Sequence, residues 1–114
     1  MILNLTPHPV RLYTAEREDG VDDVDLHLRH VIEPEPTPAR LATIELGTQC
    51  DGTELVEYGH AQDLPPKRDG VRYVVSLVVA LALADRRSDL LVPYREVRNA
   101  SGTVIGCRSF AQPV

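Results

Sequence analysis

The stretch Val71 to Ala84, "VRYVVSLVVALALA", decides how the chain is read. Val71, Tyr73 and Val75 fall at every second position, the period of a strand. From Ser76 the pattern changes. "SLVVALALAD" offers a serine suited to an N-cap and then a run rich in leucine and alanine, which favour a helix. Such a helix is apolar nearly all round, so burial on several sides is expected. A purely β reading of residues 71–84 stays open, because valine is frequent there. The apolar run is too short to cross a bilayer.

Downstream, "LLVPYREVRNASGTVIGCRSF" (residues 90–110) predicts an edge strand ending at Pro93 and then a hairpin, with "NASG" supplying the turn chemistry. Upstream, "MILNL" and "VRLY" read as short strands around the break "TPHP". Each proline removes a ladder donor and pushes the residue before it, Thr6 or His8, toward extended geometry. Asn4 and Thr6 are expected to satisfy backbone groups at that bend. The acidic "TAEREDGVDDVDL" (residues 14–26) has little periodicity and reads as a mobile loop. Pro34, Pro36 and Pro38 make a stiff extended connector between two strands. "DGTELVEYG" (residues 51–59) opens with a turn signal and alternates like a half-buried strand, and "DLPPKRDG" (residues 63–70) is a loop. The expected fold is α+β, a single domain over residues 1–114, mainly antiparallel β-sheet with one or two short helices inserted late in the chain.

At 114 residues the chain is long enough for one core without staples. Trp is absent and Phe occurs once, so that core must rest on Val, Leu, Ile and Ala. No charged-then-apolar leader opens the sequence, and Cys50 and Cys107 are read as two free thiols, which together predict a cytoplasmic protein. Residues 1–70 hold 6 basic and 14 acidic side chains, whereas residues 71–114 hold 6 and 3. The acidic part should repel a long DNA or RNA track, while the basic part allows a small anionic ligand.

Strand alternation puts Arg95 and Val97 on one face of the C-terminal hairpin and Tyr94, Glu96 and Arg98 on the other. A four-residue loop pairs Arg98 with Thr103, and a two-residue loop pairs it with Ile105. Either register leaves Arg95 and Arg108 on the same face. Two like charges that close are either solvated or held by an anion, and guanidinium groups match phosphate oxygens bidentately. Arg86 and Arg87 read as cations at the helix C-terminus, and Asn99 as a turn residue. His8, His60, Cys50 and Cys107 fit no compact ligand spacing, so no metal is expected, and no cofactor either. A hydrolase using Cys107 or Ser76 with His8 is the enzymatic alternative, although no nucleophile elbow surrounds Ser76.

"NLTPHPV" near the start, "YVVSLVVALALADRRSDLLVP" in the middle and "VRNASGTVIGCRSF" at the end resemble small single-domain proteins of bacteriophages and actinobacterial genomes. The overall order is similar to the Thoeris anti-defence sponges, phage proteins that sequester cyclic ADP-ribose signals. The resemblance covers most of the chain except the acidic segment near residues 15–27. It implies a sheet with late helices, a homo-oligomer, and ligand pockets between subunits that use an aromatic ring for adenine and Asn or Arg for ribose and phosphates. Carried onto this sequence, those positions are Arg98, Asn99 and Arg108. Leu91 stands where the ring is expected, and Tyr94 is the nearest aromatic. The expected function is therefore non-enzymatic sequestration of a small anionic, nucleotide-derived ligand, with Arg98, Asn99, Arg108, Arg95, Tyr94 and His8 as ligand-binding candidates. A structural or protein-interaction module is the remaining alternative.

Overall fold

Strand-forming runs at both ends of the chain meet in one sheet. The computed structural model describes residues Met1 to Val114. Its elements are β1 (Ile2–Asn4), β2 (Val10–Tyr13), β3 (Leu28–Ile32), β4 (Arg40–Thr48), β5 (Glu54–Gln62), β6 (Arg72–Val74), α1 (Leu77–Leu83), β7 (Leu90–Arg98) and β8 (Val104–Ala111). Six strands form a sheet in the order β1-β6-β7-β8-β2-β3, and β4 and β5 form a separate two-stranded ribbon.

The chain is mostly β-sheet with a single short helix, as expected, but the large sheet is mixed. β1 and β6 are parallel, as are β6 and β7, and β8 meets β2 in parallel through Leu12 and Cys107. β7 with β8 and β2 with β3 are antiparallel. The parallel pair β6–β7 follows from α1, which carries the chain back across the sheet so that both strands run the same way. Parallel strands at a sheet centre are covered on both faces and read as unbroken apolar runs. "YVV" at Tyr73–Val75 and "LLV" at Leu90–Val92 are such runs, and all six residues are buried. Tyr73, Val75, Leu90 and Val92 pack with Leu5, Val79 and Ala80 on the α1 side. Val74 and Leu91 pack with Val10 and Cys107 on the other.

β7 is therefore not an edge strand that stops at Pro93. It is central as far as Leu91, whose carbonyl accepts the amide of Val75, and continues to Arg98. β6 has ended by then, so the proline ring falls where no neighbour on that side needs a donor. The hairpin adopts neither expected register. Arg98 opposes Val104, with an irregularity between Val97 and Arg98.

α1 is the second correction. Ser76 stands at the N-cap in extended geometry but makes no side-chain capping bond. The seven-residue helix buries only Val79 and Ala80, while Leu77, Val78 and Leu81 remain 56%, 48% and 59% exposed. Two turns lying on one face of a sheet bury one stripe, however apolar the others are.

The run Asn4–Val10 draws the outer strands of the sheet together. Asn4 is fully buried. Its Nδ2 donates to the carbonyls of His8 at 2.8 Å and Ile32 at 3.0 Å. Its Oδ1 accepts the Thr6 amide at 2.9 Å, and the Thr6 hydroxyl lies 2.6 Å away. The Asn4 carbonyl accepts the Glu35 amide, and Asn4 bridges Pro34. One amide side chain thus closes the turn and ties β1 to the end of β3.

The acidic segment wraps around Arg17, which is only 1% exposed. The guanidinium stacks 4.7 Å from the centre of the Tyr13 ring. It donates to the carbonyls of Val21, Asp23 and Leu26, while its Nε has no acceptor. Backbone carbonyls and the ring, not a carboxylate, are what this buried cation meets.

The β4–β5 ribbon stands apart from this body. Its strands are exposed, not half-buried, because no element lies on either face over most of their length. The Cα radius of gyration is 16.4 Å, against about 13 Å for a compact chain of this length.

Candidate functional site

Three of the six side chains expected to bind a ligand, Arg98, Asn99 and Arg108, are hydrogen-bonded within the fold. Arg98 donates to the Gly102 carbonyl at 2.8 Å and to Glu96 at 3.1 Å. The Asn99 Oδ1 accepts the amides of Ser101 and Thr103 and the Ser101 hydroxyl, so it organises the turn. Arg95 is exposed and left-handed, with φ of 55°. The flanking pairs, Tyr94 with Ser109 and Glu96 with Cys107, set it level with Arg108. Tyr94 is 54% exposed. His8 is exposed and contributes only its carbonyl to the turn. Arg87 does not cap the helix. It pairs with Asp89 at 2.8 Å and donates to the Pro65 carbonyl.

Arg108 is the candidate that faces a cleft. β1, β2, β3 and β8 surround an opening of about 480 Å³ lined by Ile2, Leu12, Arg29, His30, Arg108, Ser109 and Phe110. Leu12 on β2 is the hinge of the arrangement, paired with His30 on β3 and with Cys107 on β8. Those pairings bring Arg29 and His30 beside Arg108 to Phe110. No carboxylate lines the cleft. Arg108 is braced from behind, its Nε donating to the Arg17 carbonyl at 2.7 Å, Nη1 to the Glu96 carbonyl at 3.0 Å and Nη2 to Asp19 at 3.0 Å. The Arg98 amide and the Arg108 guanidinium hold the Asp19 carboxyl below its ordinary range, so it stays charged and offsets part of the Arg108 charge. Arg29 is exposed and has no ion-pair partner.

Comparison with family models, with curated proteins and with solved structures finds no match. The chemistry of the cleft must speak for itself. A free guanidinium, a second one fixed in place, an imidazole, a hydroxyl and an aromatic ring suit an anionic group joined to a flat ring.

The largest cavity, about 720 Å³, has different chemistry. Leu3, Leu5, Leu64 and Tyr73 give it an apolar floor, and its charges are Glu35, Asp63 and Arg68. Two carboxylates against one guanidinium disfavour a phosphate, so size and anion-binding chemistry point to different places. The chemistry is the better guide for an anion.

The residues of the enzymatic alternative are separated. Cys107 is fully buried, and that burial pushes its thiol pKa up, away from the reactive thiolate. Ser76 is exposed at the head of α1, and no hydrogen bond joins either residue to a histidine. No group of three or more His, Cys, Asp or Glu side chains is placed to hold a metal ion, and no helix is long and apolar enough to cross a membrane.

Arg29 and His30 escape a reading of the sequence alone. "LRH" follows an acidic segment and carries no motif. Only the β2–β3 and β2–β8 pairings, distant in sequence, turn these side chains into neighbours of Phe110.

Proposed function

We propose that the chain binds, without transforming, a small phosphate-bearing ligand of the nucleotide class in the cleft between β1, β2, β3 and β8. The carrying observation is the unpaired Arg29 beside Arg108 and Phe110 in an opening free of carboxylates. Arg29 supplies the mobile cation for the phosphate, Arg108 a fixed positive wall, and the Phe110 ring a surface for a base. The resemblance to cyclic ADP-ribose sponges supports that signal type as the ligand and a homo-oligomer as the working form. The free thiols of Cys50 and Cys107 support a reducing, cytoplasmic setting. Buried Cys107 and unpartnered Ser76 favour binding over hydrolysis.

The test is to mix the protein with cyclic ADP-ribose, measure depletion of free ligand, then heat and analyse what is released. Intact ligand supports sequestration, an altered product supports the hydrolase, and no depletion removes this ligand class. In calorimetry, Arg29→Ala should weaken binding by about 1.5–3 kcal/mol, the scale of a charged hydrogen bond. Exposed Arg86, outside the cleft, is the control, and Arg86→Ala should leave the affinity unchanged.

A further inference from the structure

We infer that the β4–β5 ribbon is an exchange arm, and that the Val56–Tyr58 face of one copy covers the exposed stripe of α1 on a second copy of this chain. The exposed surface is larger than that of a compact chain of this mass. The chain exposes 7425 Å² at 12.6 kDa, where a compact monomer of that mass exposes about 6,200 Å². The excess, about 1,200 Å² per chain, exceeds the roughly 800 Å² per partner of a stable interface.

Two apolar patches contribute to it. On the arm, Thr43 opposes Tyr58 and Glu45 opposes Val56, so these four share a face. Tyr58 is 61% exposed and Val56 41%. On α1, Leu77, Val78 and Leu81 fall at i, i+1 and i+4 and form one stripe. An isolated two-stranded ribbon is marginal in water and needs a surface to lie on.

Charge selects the pairing. Residues 40–62 carry one basic and four acidic side chains. The C-terminal end of α1 is flanked by Arg86, 73% exposed and 3.7 Å from the exposed carboxylate of Asp85, and by Lys67, which donates to Ser88. Arm against arm would set like charges together, whereas the helix end, where Asp85 offsets Arg86 and Lys67 adds a cation, does not repel an acidic arm. Both halves lie on the same chain, and α1 packs against the root of β4. A two-fold axis near that root therefore makes two equivalent contacts at once. This assembly does not depend on the anion cleft, and its test uses no ligand.

Light scattering coupled to size exclusion should give twice the 12.6 kDa chain mass. Tyr58→Lys and Leu81→Glu, both at exposed positions, should each run as monomers with unchanged circular dichroism. Mixed in equal amounts, the two variants should recover the dimer, because one contact is native and the other sets the introduced lysine against the introduced glutamate. A monomeric or larger wild-type assembly, a variant that stays dimeric, or a mixture that stays monomeric overturns the inference.

Discussion

Arg108 and Asp19 meet at 3.0 Å across 89 positions of sequence, and the pair joins the C-terminal hairpin to the acidic loop at the back of the cleft. Asp19 also accepts the Arg98 amide at 3.0 Å, a bond that an asparagine oxygen can keep. Asp19→Asn should therefore preserve the fold while removing the charge that offsets Arg108. The expected result is tighter binding of a phosphate ligand, with a steeper loss of affinity as salt is raised. Titrations at two ionic strengths check this. Unchanged affinity would show that Arg108 contributes nothing to the field of the cleft.

Asn4 and His8 sit in the same turn but should respond oppositely to truncation. Asn4→Ala leaves the His8 and Ile32 carbonyls and the Thr6 amide without the partner they have now. Unsatisfied buried groups put the expected loss near 3 kcal/mol. His8 gives the turn only its carbonyl and lies outside the lining of the cleft, so His8→Ala should change stability by less than about 0.5 kcal/mol, as exposed substitutions do, and spare ligand binding. Urea denaturation of the two variants is decisive. An Asn4→Ala protein as stable as wild type would remove the closing role of that side chain.

The turn at Asn4 and the strands on either side of it were legible because proline and asparagine act on their immediate neighbours. The helix start at Ser76 followed from the change of apolar period, since that serine makes no capping bond. The course of β7 was not. Pro93 marks an edge in the local pattern, yet whether a neighbour reaches that edge depends on where β6 ends. Arg17 was hidden for the same reason. Among acidic residues it reads as a solvated charge, and only the Tyr13 ring and three loop carbonyls turn it into a core residue. The site followed this division. The function of Asn99 in its turn is local and was readable, while the cleft is made by strands β2, β3 and β8, whose pairing no local pattern encodes.

Arg87 and Asp89 form the most enclosed ion pair, with side chains 18% and 4% exposed. Arg87→Ala strands a buried carboxylate, and the cost expected for breaking such a pair is about 3 kcal/mol near neutral pH. The bond from Arg87 holds the Asp89 carboxyl below its ordinary range. Its stabilisation is therefore full above the unfolded value of about 3.9 and is lost as pH falls through the lower folded value. Melting temperatures of wild type and Arg87→Ala should converge as pH falls below about 4, where the unfolded carboxyl protonates, and on through the lower value of the paired one. A gap that stays constant through that range would place the effect in lost packing instead.

Gly106 is required by space rather than by backbone conformation. A Cβ there would lie 2.5 Å from the Arg11 carbonyl oxygen and 2.7 Å from a carbon of the Tyr13 ring. Neither neighbour can yield cheaply. The carbonyl belongs to β2, and the ring is fixed by its hydroxyl bond to Val24 and by Arg17 stacked upon it. Gly106→Ala should therefore push β8 from β2 at the one register pair that joins them, Leu12 with Cys107. Overpacking of this kind costs about 1–3 kcal/mol, and amide hydrogen exchange should quicken first in Val10–Tyr13. Because β2 and β8 are two walls of the cleft, the variant should also lose affinity for a phosphate ligand while it is still folded. Intact binding alongside faster exchange in β2 would separate the seam from the site and move the anion-binding groups elsewhere.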